Sequence, residues 1–285
     1  MCALMATAEI LEAEARERPR MAVVAIAAAV FTLAGSLVGI AAGASPDNLP
    51  AALLFYDDNQ VSQYVSAACS VIGAIAIAFV LDFLYRATKA RNPELPRQIR
   101  PLPWIGGIGV AIFTVAYRVA LGVNVEHFAT QGSQTYEEAR KAIEAGVPQL
   151  LGVIPQLALA LAIVMISINA MRVGLLTRFL GYLGVISGAL FVLMLVPIPI
   201  VQVYWLGALA ALFAGRSPSG TPPAWQSGEA MPWPSAAEMR EQRVRDAEAR
   251  RGGDVIEGSV ADADDAPTSA GPSSATSKRK RKKRR

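Results

Sequence analysis

The sequence predicts an all-α fold: a polytopic bundle of about six transmembrane helices, followed by a disordered cytoplasmic C-terminal tail. The 285-residue chain is 53% hydrophobic and only 18% charged, whereas a typical soluble domain carries about 25% charged residues. The apolar residues form long runs with almost no charge before residue 216, as membrane-spanning helices require. The net charge of +4 resides in residues 216–285, because residues 1–215 contain equal numbers of basic and acidic side chains.

Six apolar segments make up the predicted bundle, residues 21–215. A helix crosses the hydrocarbon core in about 20 residues, and a helix satisfies its own backbone hydrogen bonds in lipid. Pro197 and Pro199 divide the last long apolar stretch into two segments, because proline interrupts a helix. The predicted spans are residues 21–44, 61–85, 104–123, 148–171, 179–196 and 200–214, of which the last is short for a crossing.

The distribution of basic residues predicts the orientation of these spans. Lys and Arg are enriched in the cytoplasmic loops of membrane proteins. If both termini are cytoplasmic, 24 of the 27 Lys and Arg residues lie on the cytoplasmic side, and the exceptions are Arg118, Arg140 and Lys141. We therefore expect a multi-pass protein of the cell membrane with both termini in the cytoplasm. Cleavage of the first span as a signal peptide is disfavoured, because its apolar run exceeds the roughly 7–15 residues of a signal-peptide core.

Two soluble helices are predicted beside the spans. Residues 1–20 form a cytoplasmic amphipathic segment, in which Glu–Arg pairs four residues apart favour a helix over residues 7–18. Pro19 is expected to end that helix before the membrane. A second short helix is predicted from Tyr136 to Glu144, where it caps the bundle on the outer side.

Residues 216–285 are predicted to be a cytoplasmic tail that adds nothing to the stability of the bundle. Its composition is polar and rich in Pro, Gly and Ser, which is typical of disordered segments. A capping box of Ser235 and Glu238 predicts one short charged helix near residues 236–251. Trp225 and Trp233 are expected at the level of the lipid head groups, where indole rings are enriched.

Small residues recur at four-residue spacing within two of the spans. Gly35, Gly39 and Gly43 follow this spacing in the first span, and Gly184 and Gly188 follow it in the fifth. Such spacing lets the backbones of neighbouring helices approach closely in lipid. We expect these glycines to mediate packing within one chain.

Four polar side chains within the spans are the candidates for an intramembrane site: Arg118, Gln156, Asn169 and Gln202. Polar groups inside a membrane often mark a solute or ion pathway, but a single such group more often forms a hydrogen bond between helices. For Arg118 a structural ion pair is favoured over a solute or ion contact, and its expected partners are Glu126, His127, Asp57 and Asp58. Asp82 is expected to pair with Arg86, four residues later, rather than to bind an ion.

No motif in the sequence indicates an enzyme. The chain has one histidine, His127, and lacks a zinc-binding H-E-x-x-H pair, a phosphate-binding glycine loop and a G-x-S-x-G nucleophile turn. The two cysteines, Cys2 and Cys69, predict neither a disulfide framework nor a metal pair. We therefore predict a protein without catalytic residues, metal or cofactor.

Two stretches resemble known sequences. The run N-A-M-R at residues 169–172, with G-L-L-T-R-F-L-G-Y-L-G-V-I-S-G at residues 174–188, resembles the middle region of uncharacterised bacterial six-helix membrane proteins. The stretch from Pro222 to Pro234, P-P-A-W followed by G-E-A-M-P-W-P, is similar to tails on actinobacterial members of that group. The resemblance implies a six-helix membrane fold and transfers no active residues.

Two classes of function fit these observations. The first is a non-enzymatic membrane anchor or scaffold, whose tail meets lipid or an unidentified cytoplasmic protein. The alternative is a small-solute or ion permease or channel that uses the polar groups within the bundle. A water-lined interior that touches Gln156, Asn169 or Arg118 would favour transport, whereas a filled interior with mutually satisfied polar groups would favour the anchor.

The basic C-terminal run generates the first testable prediction. It consists of Lys278, Arg279, Lys280, Arg281, Lys282, Lys283, Arg284 and Arg285. Each cation near an anionic leaflet contributes up to about 1 kcal/mol, so we expect this run to bind anionic head groups. Nucleic acid is the less favoured ligand, because the tether already concentrates the run at the bilayer. A C-terminal fluorophore on reconstituted protein should be shielded by anionic vesicles, less so at high salt, and not after deletion of these residues. Equal shielding by neutral vesicles would contradict the prediction.

Overall fold

All regular secondary structure in the described part of the chain is helical. The computed structural model describes residues 2–41, 43, 45–131, 133–144, 146–193, 199–217, 220–233, 240–241 and 244–245, and these contain no β-strand. This confirms the all-α class. The chain divides into two compact units, Met1–Trp233 and Pro234–Arg285.

Nine α-helices and one 3-10 turn make up the described part of the first unit. The 3-10 turn spans Arg97–Ile99 and precedes α4. The helices are α1 Cys2–Ala41, α2 Leu49–Asp58, α3 Gln60–Arg91, α4 Leu102–Gln131, α5 Tyr136–Glu144, α6 Leu150–Arg172, α7 Arg178–Leu193, α8 Ile200–Phe213 and α9 Ala224–Ser227.

Six of the helices close into a ring. Helix α1 packs on α3, α3 on α4, α4 on α6, α6 on α7, α7 on α8, and α8 returns to α1. Helices α3 and α6 also meet across the ring. The end that carries residues 86–103, Arg172, Arg178 and Arg216 is called the basic end below, and the other is called the opposite end.

Four of the described helices have the length and apolar composition of membrane spans. Within the described residues, Ala8–Ala41, Gln60–Arg91, Arg97–Gln131 and Leu150–Arg172 are long and apolar enough to cross a bilayer. Helices α7 and α8 are apolar but shorter. The coordinates therefore support the predicted class of polytopic helical membrane protein, with four of the six predicted spans long enough to cross.

Glycine packing within the chain is confirmed at both predicted repeats. A methyl group added to Gly35 would meet Ser70 Oγ of α3 at 2.9 Å, and one added to Gly188 would meet Ala160 O of α6 at 2.9 Å. Both helix pairs therefore approach more closely than a side chain would allow. Gly43 differs, because it lies beyond the end of α1 with a φ of 105°.

The expected break at Pro19 is wrong, because α1 continues through this residue. A proline inside a helix removes one backbone hydrogen bond, so the flanking contacts have to hold the helix together. Glu14 accepts two hydrogen bonds from the Arg91 guanidinium at 2.7 and 2.8 Å, and Arg18 Nη2 donates to Leu212 O at 3.2 Å. The N-terminal segment is therefore part of the bundle.

The main hydrophobic core fills the half of the ring nearest the basic end. It combines Phe83 and Leu84 of α3, Ile166 of α6 and Trp205 and Leu209 of α8, all almost fully buried. Each fully buried side chain of this size contributes roughly 1.5–3 kcal/mol in a water-based reference. The main hydrophobic core therefore stabilises the half of the ring nearest the basic end.

A second, smaller core lies at the opposite end, around the last turns of α4. It contains Tyr56 of α2, Val125 and Phe128 of α4 and Ala139 of α5. The predicted helix Tyr136–Glu144 is confirmed, but it packs on α2 and α4 rather than across the whole bundle. Helix α2 lies between the first two predicted spans, where the sequence predicts no helix.

Residues 220–233, called the strap below, pack against the basic end, which corrects the expected detachment of the tail at residue 216. Trp225 is only 4% exposed, and its Nε1 donates to Leu175 O at 2.9 Å. Trp233 Nε1 donates to Leu176 O at 2.8 Å, and Met231 N donates to Val173 O at 3.1 Å. The strap thus supplies donors to the carbonyl groups of the turn between α6 and α7.

The indole ring of Trp225 lies close to two guanidinium groups. The Arg18 guanidinium carbon lies 4.9 Å from the centre of this ring, and that of Arg91 lies 5.4 Å from it. Arg91 also donates through Nε to Ala224 O at 2.9 Å, while its carboxylate partner is Glu14. Trp225 is therefore buried in the protein rather than exposed to head groups, and the half-buried Trp233 also bonds to a backbone carbonyl of the bundle.

The second unit is described at four residues. Arg240, Glu241, Val244 and Arg245 are helical, and Arg245 pairs with Glu241 at 3.6 Å on an exposed surface. These four residues agree with the predicted charged helix near 236–251. The remainder of that helix, the predicted disordered stretch and the basic C-terminal run lie outside the described residues.

The strap generates the second prediction. A chain that ends at Gly215 should melt in detergent roughly 6–12 °C below the full chain, because loss of a buried Trp costs about 3 kcal/mol and each kcal/mol shifts Tm by about 2–4 °C at this size. The matched control is a chain that ends at Trp233, which should melt as the full chain does. Equal melting of all three chains would show that the strap adds nothing to stability.

Candidate functional site in the helix bundle

A cavity of about 670 Å³ lies inside the ring. Its lining includes Thr32 of α1, Ser70 of α3, Val110 of α4 and Gln156 of α6, together with residues of α7 and α8. All six helices of the ring therefore contribute to its wall. Ligand-binding cavities in proteins typically have volumes of roughly 300–1,000 Å³, so this cavity is large enough for a small molecule.

The wall is mainly apolar, with a small set of uncharged polar groups. No charged side chain is found among the described residues that line it. The polar members are Thr32, Ser36, Ser70, Gln156, Ser187 and Gln202. A mostly apolar wall with a few placed polar groups is the usual composition of a small-molecule site.

Two of these polar groups have no partner within the described structure. Gln202 is 4% exposed and Ser187 is 1% exposed, yet Gln202 Nε2 and Ser187 Oγ make no hydrogen bond. A buried polar atom without a partner costs about 1–3 kcal/mol, so such atoms call for an explanation. Outside the cavity, three further buried side-chain atoms of the described structure also make no hydrogen bond: Arg18 Nε, Tyr56 Oη and Ser167 Oγ.

The other polar groups of the wall are partly satisfied. Ser36 Oγ donates to Thr32 O at 3.2 Å and Ser70 Oγ donates to Ser66 O at 2.9 Å, each within its own helix. Gln156 Nε2 donates to Phe191 O of α7 at 2.8 Å. Its neighbour Pro155 has no N–H, which leaves the carbonyl of Leu151 without its usual helical donor.

The structure brings together two of the four candidate site residues. Gln156 and Gln202 line the same cavity, from α6 and α8. Asn169 does not join them, because its Nδ2 donates to Met165 O of its own helix at 2.7 Å. Ser187 was not predicted, since a single serine in an apolar helix carries no distinguishing pattern.

Arg118 lies apart from the cavity and has different partners from those expected. Its Nη1 donates to Gln63 Oε1 of α3 at 2.9 Å, and its guanidinium carbon lies 5.8 Å from the ring centre of Tyr56. None of its expected partners, Glu126, His127, Asp57 and Asp58, pairs with it in the described structure. Arg118 therefore joins α4 to α3 and α2. Burial raises the pKa of Tyr56 above its ordinary value.

The expected pairing of Asp82 with Arg86 is confirmed at 3.0 Å. Arg86 also donates to both carboxylate oxygens of Glu17, at 2.9 and 2.6 Å. These contacts tie α3 to α1 near the basic end, and Asp82 is not among the residues that line the cavity. Among the described residues, no three His, Cys, Asp or Glu side chains are placed to hold a metal ion.

Comparison with models of protein families, with curated proteins and with solved structures finds no match to this chain. The resemblance to bacterial six-helix membrane proteins therefore stays a prediction. The cavity has to be interpreted from its own chemistry.

Gln202 generates the third prediction. The substitution Gln202→Leu should raise the melting temperature in detergent by a few degrees. It removes a buried amide nitrogen without a hydrogen-bond partner, which destabilises the folded protein by about 1 kcal/mol or more. The matched control Asn169→Leu should not raise it, since that amide is hydrogen-bonded within α6. A fall in the melting temperature of the Gln202 variant would show that the amide has a structural role.

Proposed function

We propose that this protein is an integral membrane protein of the permease or channel class, which binds a small uncharged solute within its helix bundle. The observation that carries the proposal is the unpartnered pair Gln202 Nε2 and Ser187 Oγ on the wall of the 670 Å³ cavity. Both groups can donate a hydrogen bond to a solute. These two atoms differ from the other unpartnered buried atoms of the described structure because their residues line one cavity.

The lining indicates the chemical class of the solute. The described wall offers no charge to neutralise an ion, and an uncompensated charge within a bilayer is costly. The hydroxyl of Ser187 and the amide of Gln202 supply donors, while the amide oxygens of Gln156 and Gln202 supply acceptors. These groups suit an uncharged molecule with hydroxyl or amide groups and some apolar carbon surface.

We further propose that the bundle lies in the cell membrane with its basic end in the cytoplasm. The support is the asymmetry of charge, because 24 of the 27 Lys and Arg residues fall on the side of the two termini. Helices α1, α3, α4 and α6 are long enough to cross. Two further crossings, by α7 and α8, remain the sequence-based prediction.

An anchor for the tail is the second candidate function, and the strap supports it. Arg178 Nη2 donates to Trp233 O at 3.2 Å, so the residue that precedes the second unit is held against the bundle. The bundle therefore holds Trp233, the last residue before the second unit, at the basic end. This role is compatible with solute passage, because the strap and the cavity use different residues.

Passage of solute is tested with proteoliposomes in an osmotic swelling assay, with glycerol, xylitol and urea as uncharged probes and sodium chloride as the charged control. We expect faster swelling than in protein-free liposomes for at least one uncharged probe. Gln202→Leu should slow this swelling about fivefold, the equivalent of roughly 1 kcal/mol for one hydrogen bond. Asn169→Leu should swell as the unaltered protein does. If the proteoliposomes swell at the protein-free rate with all three probes, solute passage is contradicted and only the role as an anchor for the tail stands.

A further inference from the structure

The seam between α3 and α4 is closed at two levels by close approach of the helices and is open between them. A methyl group added to Gly107 would lie 2.7 Å from Ala78 Cβ, and one added to Gly122 would overlap Tyr64 Oη. Between these two contacts the helices leave a groove of about 380 Å³. The described residues that line this groove are all apolar: Val71, Ala111, Ile112, Val115 and Ala116. The groove is therefore suited to a hydrocarbon chain.

The groove lies on the outer surface of the ring. Ile112 is 65% exposed and Val115 is 51% exposed, whereas Val110 of the same helix lines the internal cavity. The side chains of Ala111 and Ala116 are too short to fill the space between the two helices. Because α3 and α4 are proposed to cross the bilayer, this surface contacts lipid, and the molecule available to fill the groove is a lipid.

Arg118 lies in the same seam, between the groove and the opposite end. It follows Ala111 by seven residues of α4, a distance of about 10 Å along the helix. Its Nη1 donates to Gln63 Oε1 of α3 at 2.9 Å, and its guanidinium carbon lies 5.8 Å from the ring centre of Tyr56. Contacts from α2 and α3 therefore hold this cation at the end of the groove.

The charge of Arg118 is not neutralised by a neighbouring carboxylate. In the described part of the chain Arg118 forms no ion pair. A guanidinium group has five N–H donors, and the bond to Gln63 uses one of them. Its Nε and Nη2 atoms are not among the enclosed atoms that make no hydrogen bond, so they are accessible from outside. The guanidinium can therefore donate to an anion that approaches from the bilayer.

The position of Arg118 corresponds to the head-group level of the leaflet at the opposite end. Its partner Gln63 precedes Arg86 by 23 residues of the continuous helix α3, and Arg86 pairs with Glu17 near the basic end. This separation is about 34 Å along the helix, and the hydrocarbon core of a bilayer is about 30 Å thick. With Arg86 at one boundary of that core, Gln63 and Arg118 lie at the other.

We propose that the seam between α3 and α4 binds one anionic phospholipid of this leaflet. The phosphate accepts hydrogen bonds from Arg118 and from the hydroxyl of Tyr64, a 39% exposed residue beside Gly122, and one acyl chain lies in the groove. Hydrogen bonds between arginine and phosphate are charge-assisted and strong. A free phosphate ion would use the same donors but leave the apolar groove unfilled, so the groove favours the lipid. This site goes beyond the passage of a solute and does not depend on it.

The lipid beside the groove is identified by photo-crosslinking of the full chain in nanodiscs with equal amounts of phosphatidylglycerol and phosphatidylcholine. Benzoylphenylalanine replaces Ile112 in the groove or, as the control, Leu161 of α6, which is 49% exposed and is not part of the described lining. We expect adducts with phosphatidylglycerol to exceed those with phosphatidylcholine about fivefold at Ile112, from the attraction of one cation for an anionic lipid. The two lipids should react equally at Leu161. The same ratio at both positions would overturn the proposal.

Three substitutions test the contact with the head group. Arg118→Gln should remove the preference for phosphatidylglycerol at Ile112. Tyr64→Phe leaves the bond between Arg118 and Gln63 intact and should lower the preference about twofold, as expected for loss of one hydrogen bond. Arg140→Gln removes another cation of the opposite end, which is exposed, and should leave the preference unchanged. An equal loss with Arg140→Gln and Arg118→Gln would show a general effect of charge and would overturn the site.

The groove and the source of the phosphate are tested in the same nanodiscs. Ala116→Phe fills the groove and should lower the preference for phosphatidylglycerol at Ile112, although Arg118 is present. Addition of inorganic phosphate should not change the preference, because the free ion lacks the acyl chain. A preference that survives Ala116→Phe, or that inorganic phosphate abolishes, would overturn the bound lipid.

Discussion

Close approach of helix backbones is the constraint on which this structure depends. Helices in lipid gain little from hydrophobic association, so contact between small residues has to hold them together. A Cβ added at Gly35, Gly107 or Gly188 would lie within 3.0 Å of a neighbouring helix, and these three residues belong to different helix pairs of the ring. Such contacts set the spacing of three neighbouring helix pairs of the ring, α1–α3, α3–α4 and α6–α7. The cavity is the volume that the large side chains of the basic half do not reach.

The basic end is stabilised in a different way, by one buried cation. The Arg91 side chain is fully buried, and it bonds to Glu14, Ala87 O and Ala224 O while it lies over the Trp225 ring. Removal of one partner from a buried ion pair typically costs about 3–5 kcal/mol. Arg91 therefore joins α1, α3 and the strap into one polar cluster. The bundle thus has one half that is filled by large side chains and cross-linked by Arg91, and another half that contains the cavity.

The sequence predicts the elements that depend on local pattern and misses those that depend on distant contacts. The spans follow from apolar length, and the helix Tyr136–Glu144 follows from its charge pattern. Pro19 does not break α1 because Arg91 and Leu212, distant in sequence, hold the helix. Gln156 and Gln202 stand out as amides in apolar runs, but their convergence on one cavity requires the ring. The partner of Arg118 and the burial of Trp225 depend on which helices become neighbours, which no local pattern records.

The position of Trp225 in the chain has a consequence for biosynthesis. Its ring contacts Arg18, Phe83, Arg91 and Phe213, and its indole nitrogen bonds to Leu175, so its pocket is assembled from α1, α3, α8 and the turn after α6. Trp225 leaves the ribosome after every one of these elements. The pocket therefore exists only when all of these elements have come together, so burial of this indole reports that the bundle is complete. A chain with one helix misplaced would leave Trp225 and its two arginines without this pocket.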